Sequence, residues 1–287
     1  MSQQLRQLKS RIRSVEGTWK VTRAMEMVAM SKYKTIEGPL VMARAYFEKL
    51  ASITYNILSA QEEPLSHPFL SSKNDANGPV GLFIISSDTG LCGAYSDHLL
   101  KASDRFILEN KARGVKVFAF GRKAANHCKK RGIVPARVFP GIHGKLRSDF
   151  YLPVYEQLSQ AFLKGEIKEL YVAYTIFENA MKHHPVVQKL ITIDIPPDVK
   201  SSGCIVESGP RGIGADIIPM FVTNRLRLMF FEAFTSEHSA RMVAMKSAKD
   251  NAKELMGDLI LLRNKIRQAT ITREVIEIIS SAEALKG

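Results

Sequence analysis

The segment Ser86 to Gly93 reads Ser-Ser-Asp-Thr-Gly-Leu-Cys-Gly, follows an apolar run and opens a helical pattern. A glycine turn in that place can hold a phosphate on free backbone amides. It lacks the GxGxxG spacing and the P-loop lysine that make nucleotide binding specific, so a plain strand-to-helix turn explains it. Cys92 stands near a helix N-terminus, a setting that favours thiolates. No histidine lies beside it in sequence, and it is assigned no catalytic role. The histidines are His67, His98, His127, His143, His183, His184 and His238. Neighbours such as His183 and His184 do not converge on one ion from a strand or helix, and no HExxH or paired-cysteine spacing is present. Acids are scattered among basic residues and suggest no acid–base pair. The sequence therefore points to no catalytic residue, no cofactor and no metal.

What stands out is charge. The 287 residues carry 41 Lys plus Arg against 28 Asp plus Glu, a formal charge of +13. An acidic partner is implied: nucleic acid, anionic lipid or an acidic protein surface. Hydrophobic residues make up 45% of the chain, enough to offset the entropy of ordering a core. Cys92, Cys128 and Cys204 form no disulfide framework, so a reducing compartment is expected. No apolar run approaches the ~20 residues of a membrane-spanning helix, and the first residues lack the apolar core of a signal peptide. Met1–Val15 is basic and free of acids like a mitochondrial presequence, but its apolar pattern continues without a break.

Proline and glycine divide the chain. Met1–Gly38 and Met220–Gly287 are free of proline, whereas the middle is punctuated. Three parts are expected: a helical arm at 1–60, an α/β domain with linkers at 61–216 and a second helical arm at 217–287. In the middle, Val80–Ser86, Val115–Phe120, Leu170–Phe177 and Val186–Ile193 read as strands, the last two as a hairpin through Met181–Pro185. Ala94–Asn110 and Arg122–Arg131 read as helices. This alternation favours a Rossmann-like, partly parallel sheet. Gln61–Gly78 and Ser201–Asp216 read as linkers. Gly38-Pro39 is expected to stop or kink the first helix, with a second helix over Leu40–Ala60.

The arms carry heptads. Leu5, Leu8, Ile12, Val15, Trp19 and Thr22 alternate steps of three and four, as do Met245, Ala248, Ala252, Leu255, Leu259, Leu262, Ile266 and Ala269. Such a stripe is buried against another helix. Ala240, Ala244, Ala248 and Ala252 step by four and permit close approach. Two heptad segments at opposite ends of one chain pair most simply as an antiparallel coiled coil. Arg6, Arg13, Lys20, Lys246, Lys253 and Arg267 then lie at one outward position. They form either a solvated face or a contact surface for acidic groups. Beyond Ala269, Ile276, Ile278, Ile279, Ala282 and Leu285 point to several sides. A helix apolar on several faces needs a surrounding sleeve.

These residues resemble the γ subunit of F-type ATP synthases. Arg11–Val15, Lys20–Ala29 with Ser31 and Lys32, Ser87–Gly93, Ser236–Lys246, Asp250–Ala252 and Asn264–Thr272 carry the likeness. Trp19 and Met30 are bulkier than the family's usual residues and imply local repacking, and Arg273 stands where glutamine is common. The paired cysteines of the chloroplast redox switch have no counterpart. The resemblance implies a non-catalytic central shaft turning in a ring of α and β subunits. Ion flow through a membrane c-ring would be coupled to ATP synthesis or hydrolysis on β. It implies contacts to the ring through Arg23 and Met25 near one end, and through Arg267 and Gln268 near the other. Ile276, Ile279 and Leu285 would sit in an apolar bearing. The base, around Lys32–Met42 and Cys204–Asp216, would meet ε and the c-ring, at the cytoplasmic face of the inner membrane without insertion. The rival expectation is a basic coiled-coil protein that binds nucleic acid. Against it, the basic residues are interleaved with the heptads rather than set in a block before them.

Overall fold

A computed structural model describes residues 3–59, 67–70, 78–141, 149–193 and 210–284. The elements are α1 (Gln3–Ser59), β1 (Val80–Ile85), α2 (Tyr95–Glu109), β2 (Val115–Phe120), α3 (Arg122–Lys130), β3 (Arg137–Phe139), α4 (Leu152–Leu163), β4 (Glu169–Phe177), β5 (His183–Ile191) and α5 (Pro210–Ala284). They form two compact units, Met30–Arg241 and Met1–Ala29 with Met242–Gly287.

The larger unit is built on a sheet ordered β3-β2-β1-β4-β5. β1 pairs in parallel with β2 and β4, β2 in parallel with β3, and β4 antiparallel with β5. Both faces are covered, so β1 is apolar at every position except Gly81 and wholly buried, as parallel strands are. Phe83 and Ile85 point to one core, with Phe118, Phe120, Val172 and Tyr174 and with Val154, Leu158, Phe221 and Phe230 from α4 and α5. Leu82 and Ile84 point to the other, with Val117, Ala119, Leu99, Ala124 and Cys128 under α2 and α3. Gly121, at φ 85°, ends β2; a Cβ there would lie 2.4 Å from the Ser86 carbonyl oxygen, so only glycine lets the two strand ends pass.

Every strand and helix expected in the middle is present. The hairpin turn lies at Glu178–Lys182, earlier than the expected Met181–Pro185, and Pro185 falls within β5 opposite Thr175. β5 is the sheet edge, where a missing N–H costs no ladder bond. β3 and α4 were not expected: β3 is only three residues long, and α4 buries Val154, Leu158 and Ala161 at a helical spacing not read from the sequence. The expected linker 201–216 is shortened because α5 begins at Pro210, a residue suited to a helix start; its earlier part lies outside the described residues.

The expected break at Gly38-Pro39 does not occur. α1 runs through Pro39 without interruption. Pro39 lies on the exposed side, while Ile36 and Leu40 on either side of it are anchored in the core, and this packing outweighs the lost helical hydrogen bond.

The smaller unit is the antiparallel coiled coil of the two chain ends. Along α1, Leu5, Leu8, Thr22 and Ala29 are buried and Ile12, Val15, Trp19 and Glu26 half-buried, the expected stripe. Along α5 the phase differs. Met245, Ala252 and Leu259 are buried, but Leu255 and Leu262 are 49% and 45% exposed and Ala269 is exposed. Lys249, Met256, Arg263 and Thr270 are the half-buried partners instead. In this phase the Glu26 carboxylate of α1 accepts a hydrogen bond from Lys249 Nζ at 2.7 Å. Heptad steps outward from that pair set Trp19 opposite Met256, Val15 opposite Leu259, Ile12 opposite Arg263, Leu8 opposite Ile266 and Leu5 opposite Thr270. Long basic side chains cover apolar surface with their stems, so Lys249 and Arg263 serve in the seam.

Candidate functional site

In an open α/β sheet, ligands bind outside the carboxyl ends of the strands where the strand order reverses. Here that point lies between β1 and β4. It is occupied by α5. Every residue from Met229 to Arg241 is buried, six of them polar or charged beyond the apolar set: Glu232, Thr235, Ser236, Glu237, His238 and Ser239, with Arg241 closing the run.

Their partners come from different elements. Glu232 accepts from the Phe177 amide at the end of β4 at 2.8 Å. It also accepts from Arg44 of α1, Nε to Oε1 at 2.6 Å and Nη2 to Oε2 at 2.8 Å, a bidentate geometry that fixes orientation. Arg44 donates further to the Phe177 carbonyl. Ser236 donates to the Thr175 carbonyl at 3.2 Å, and Ser239 to the Ala180 carbonyl at 2.9 Å. Thr235 Oγ1 has no partner. Arg241 reaches the turn after β1: Nη2 donates to the Thr89 carbonyl and hydroxyl, each at 3.1 Å, and Nε to the Gly90 carbonyl at 3.3 Å. Glu237 accepts from Arg241 Nη2 at 2.7 Å, and His238 Nδ1 lies 3.1 Å from Arg241 Nη1. Tyr95 of α2 donates to the Ala233 carbonyl at 3.0 Å.

Burial sets the protonation of this cluster. It raises the Glu237 carboxyl against the lowering effect of Arg241. It pushes His238 down to about 3, helped by the charges of Arg241 and Lys32. His238 is therefore a neutral acceptor for Arg241 near neutral pH.

The first amides of α3, beside the turn after β1, are engaged by that turn. At the start of α3, the Arg122 amide donates to Asp88 Oδ1 at 3.1 Å, Lys123 to the Ser87 carbonyl at 3.1 Å and Ala124 to Ser86 Oγ at 2.8 Å. Cys92 is buried, its Sγ 3.7 Å from Ser96 Oγ. Among the described residues, no group of three or more His, Cys, Asp or Glu is placed to hold a metal ion, and no helix is long and apolar enough to cross a membrane. The sequence alone gave no role to Glu232, Ser236 or Arg241 beyond their part in the resemblance. Their signal was Glu232 inside the aromatic run Phe230–Phe234 and the polar residues that follow it as far as Arg241.

The proposed contact residues lie elsewhere, all on the coiled-coil unit. Arg23 is exposed, its guanidinium 5.4 Å from the Trp19 ring centroid, a cation–π contact. Met25 is 39% exposed, as Met30 is at 45%, so Met30 needs no repacking. Arg267 and Gln268 are exposed. The Glu26–Lys249 pairing sets Met25 level with Asp250, so the Met25 and Arg267 segments are separated by about 25 Å along the helices. They are two sites rather than one. Arg6, Arg13, Lys20, Lys246, Lys253 and Arg267 are all exposed. From Ile271 to Ala284 every residue is exposed, including Ile276 at 57% and Ile279 at 56%. The reason is that the pairing exhausts α1 near Thr272, leaving about 20 Å of α5 without a helical partner. Leu285 lies outside the described residues. Of the expected base, Met42 is 76% exposed and Lys32 half-buried; Cys204–Gly209 lies outside the described residues, and Pro210–Asp216 opens α5.

The family model described as ATP synthase matches residues 4–285. The ATP synthase gamma chain of Chloroflexus aurantiacus is 34% identical over 285 residues, covering 98% of each chain. That of Dechloromonas aromatica is 36% identical over 285 residues, covering 98% of this chain and 99% of its own. Among solved structures, a chain of the Euglena gracilis mitochondrial ATP synthase rotor superposes with a TM-score of 0.66 at 17% identity, covering 93% of this chain and 99% of that one. A chain from another rotational state of the same assembly gives 0.69, covering 98% and 94%. At that identity the superposition speaks for the fold, and the sequence matches over almost the full length speak for descent. The chain belongs to the ATP synthase gamma chain family.

Proposed function

We propose that the chain is the central shaft of an F-type ATP synthase, non-catalytic itself, turning within a ring of α and β subunits that carries the catalytic sites. The observation that carries this is the bare end of α5. In a member of this family, a helix continues past its partner with Ile271, Val275, Ile276, Ile278 and Ile279 exposed on several sides. Such a surface calls for an enclosing apolar partner. Ile276 and Ile279, with Leu285, are its proposed bearing residues. Leu255, Leu262, Ala269 and Ile276 recur every seven residues on the exposed side of α5 and extend that contact down the shaft.

Coupling follows from asymmetry. Two unlike helices present three different faces to three identical β subunits. Each face favours the β conformation that it contacts best, and only differential contact energy shifts that equilibrium. Turning the shaft permutes the conformations, and for binding energies the effect is reciprocal. Arg23, Met25, Arg267 and Gln268 are the proposed contacts to the ring, the basic ones facing acidic loops. Met42 and its neighbours in α1 would meet ε and the c-ring at the cytoplasmic face of the inner membrane. Membership of the family sets the nucleic-acid alternative aside.

The test is co-purification of the tagged full chain from cells. Recovery of three α and three β subunits per copy supports the proposal. Recovery without them, from cells that contain both, overturns it.

A further inference from the structure

The crevice where a Rossmann-like sheet would hold a nucleotide holds a stretch of the chain's own α5. We infer that Glu232–Arg241 is a clamp through which turning force passes between the α/β unit and α5. The inference rests on the shaft function proposed above.

The grip acts on two opposite sides of the helix. At about 100° per residue, Ser236 and Ser239 lie within about 40° of Glu232 around the helix axis, whereas Arg241 lies about 180° from it. The first three hold the end of β4, its following turn and, through Arg44, α1. Arg241 holds the turn after β1 from the opposite side. Apolar packing is non-directional and resists rotation of a helix about its own axis weakly. Hydrogen bonds lose strength steeply with angle, so bonds on two opposite faces resist such rotation in both senses. The segment ends at Arg241, the last residue of the α/β unit, and α5 continues unbroken to Ala284. Polar groups buried around the whole circumference are more than packing needs, because each must be satisfied to avoid a cost.

The test uses the assembled complex with its catalytic ring fixed to a surface and locked by nucleotide. A bead is attached through Leu108→Cys, a position 72% exposed on α2, in a Cys204→Ser background. The angular variance of the bead reads torsional stiffness. Two variants are compared: Arg241→Met with Glu237→Gln, which releases one face without stranding a charge, and Ser236→Ala with Ser239→Ala, which loosens the other. Loss of one of two parallel restraints predicts an about twofold larger variance for the first pair, and a smaller rise for the second. ATP hydrolysis stays near the wild-type rate. Wild-type variance in both variants overturns the clamp. So does failure of the serine pair to assemble, because losing two neutral hydroxyls would then show a folding role. If the wild-type chain itself does not turn the bead with ATP, the shaft function fails, and not the clamp.

Discussion

His238 makes the α5 segment sensitive to acid in a calculable way. Its folded pKa is lowered from 6.5 to about 3 by burial and by the charges of Arg241 and Lys32. Above pH 6.5 the imidazole is neutral whether folded or exposed, and pH has no hold on it. Below that, the exposed ring takes a proton that the buried ring refuses, so stability is lost as pH falls from 6.5 towards 3. At pH 5 the buried ring is still neutral, and the loss is about 2 kcal/mol, from 1.36 kcal/mol per pH unit over about 1.5 units. Glu237 acts in the opposite sense, because its raised folded pKa favours the proton in the folded state. Asp88 and Lys32 also bear on Glu237. A comparison with His238→Asn, which keeps an acceptor near Arg241 but does not titrate, removes most of these contributions. The assay is hydrogen exchange of the amides over residues 229–241 at pH 7.5 and pH 5, corrected for intrinsic rates. Wild type is expected to lose about 2 kcal/mol of protection relative to the variant. Equal changes in the two proteins would mean that His238 accepts its proton while folded, and the neutral acceptor assigned to Arg241 would be wrong.

Three further outcomes are expected. Glu232→Ala leaves the buried Phe177 amide without its acceptor and should cost about 1–3 kcal/mol, discounted because the Arg44 side chain is 37% exposed, whereas adding Arg44→Met should change this little, as read by chemical unfolding. Met256→Asp should melt the coiled-coil unit, and Leu255→Asp should leave it folded, because only Met256 faces α1; circular dichroism of the two variants decides. Deleting Ile276–Gly287 should weaken coupled ATP synthesis in membranes while leaving the α/β unit folded, and Arg267→Glu should impair coupling more than Lys253→Glu; equal charge effects would indicate a diffuse electrostatic contact.

Legibility in the sequence followed the range of the interaction concerned. β1, β2 and β4 were readable because strands buried on both faces are apolar runs bounded by turn residues. β3 was not, since its place is set by pairing with β2 rather than by its three residues. The helical arms were readable from their period, and the exposed end of α5 from apolar residues on too many sides. Continuity of α1 through Pro39 was not readable, because the local signal favoured a break and distant packing at Ile36 and Leu40 decided otherwise. The crevice contacts of Glu232, Ser236 and Arg241 were hidden for a similar reason. Their partners lie between 55 and 188 residues away along the chain.

By itself the sequence determined the heptad period of both arms, the alternation of the sheet and the family. Each is written in short-range spacing or in the identity of motif residues. The tertiary structure decided the phase. α5 offers two adjacent apolar rows, and nothing local chooses between Leu255 and Met256; packing against α1, which includes the Glu26–Lys249 pair, leaves Leu255 and Leu262 outward. It also decided what fills the sheet crevice, since a helix far along the chain pairs there with the Phe177 amide, the Thr175 and Ala180 carbonyls and the turn after β1.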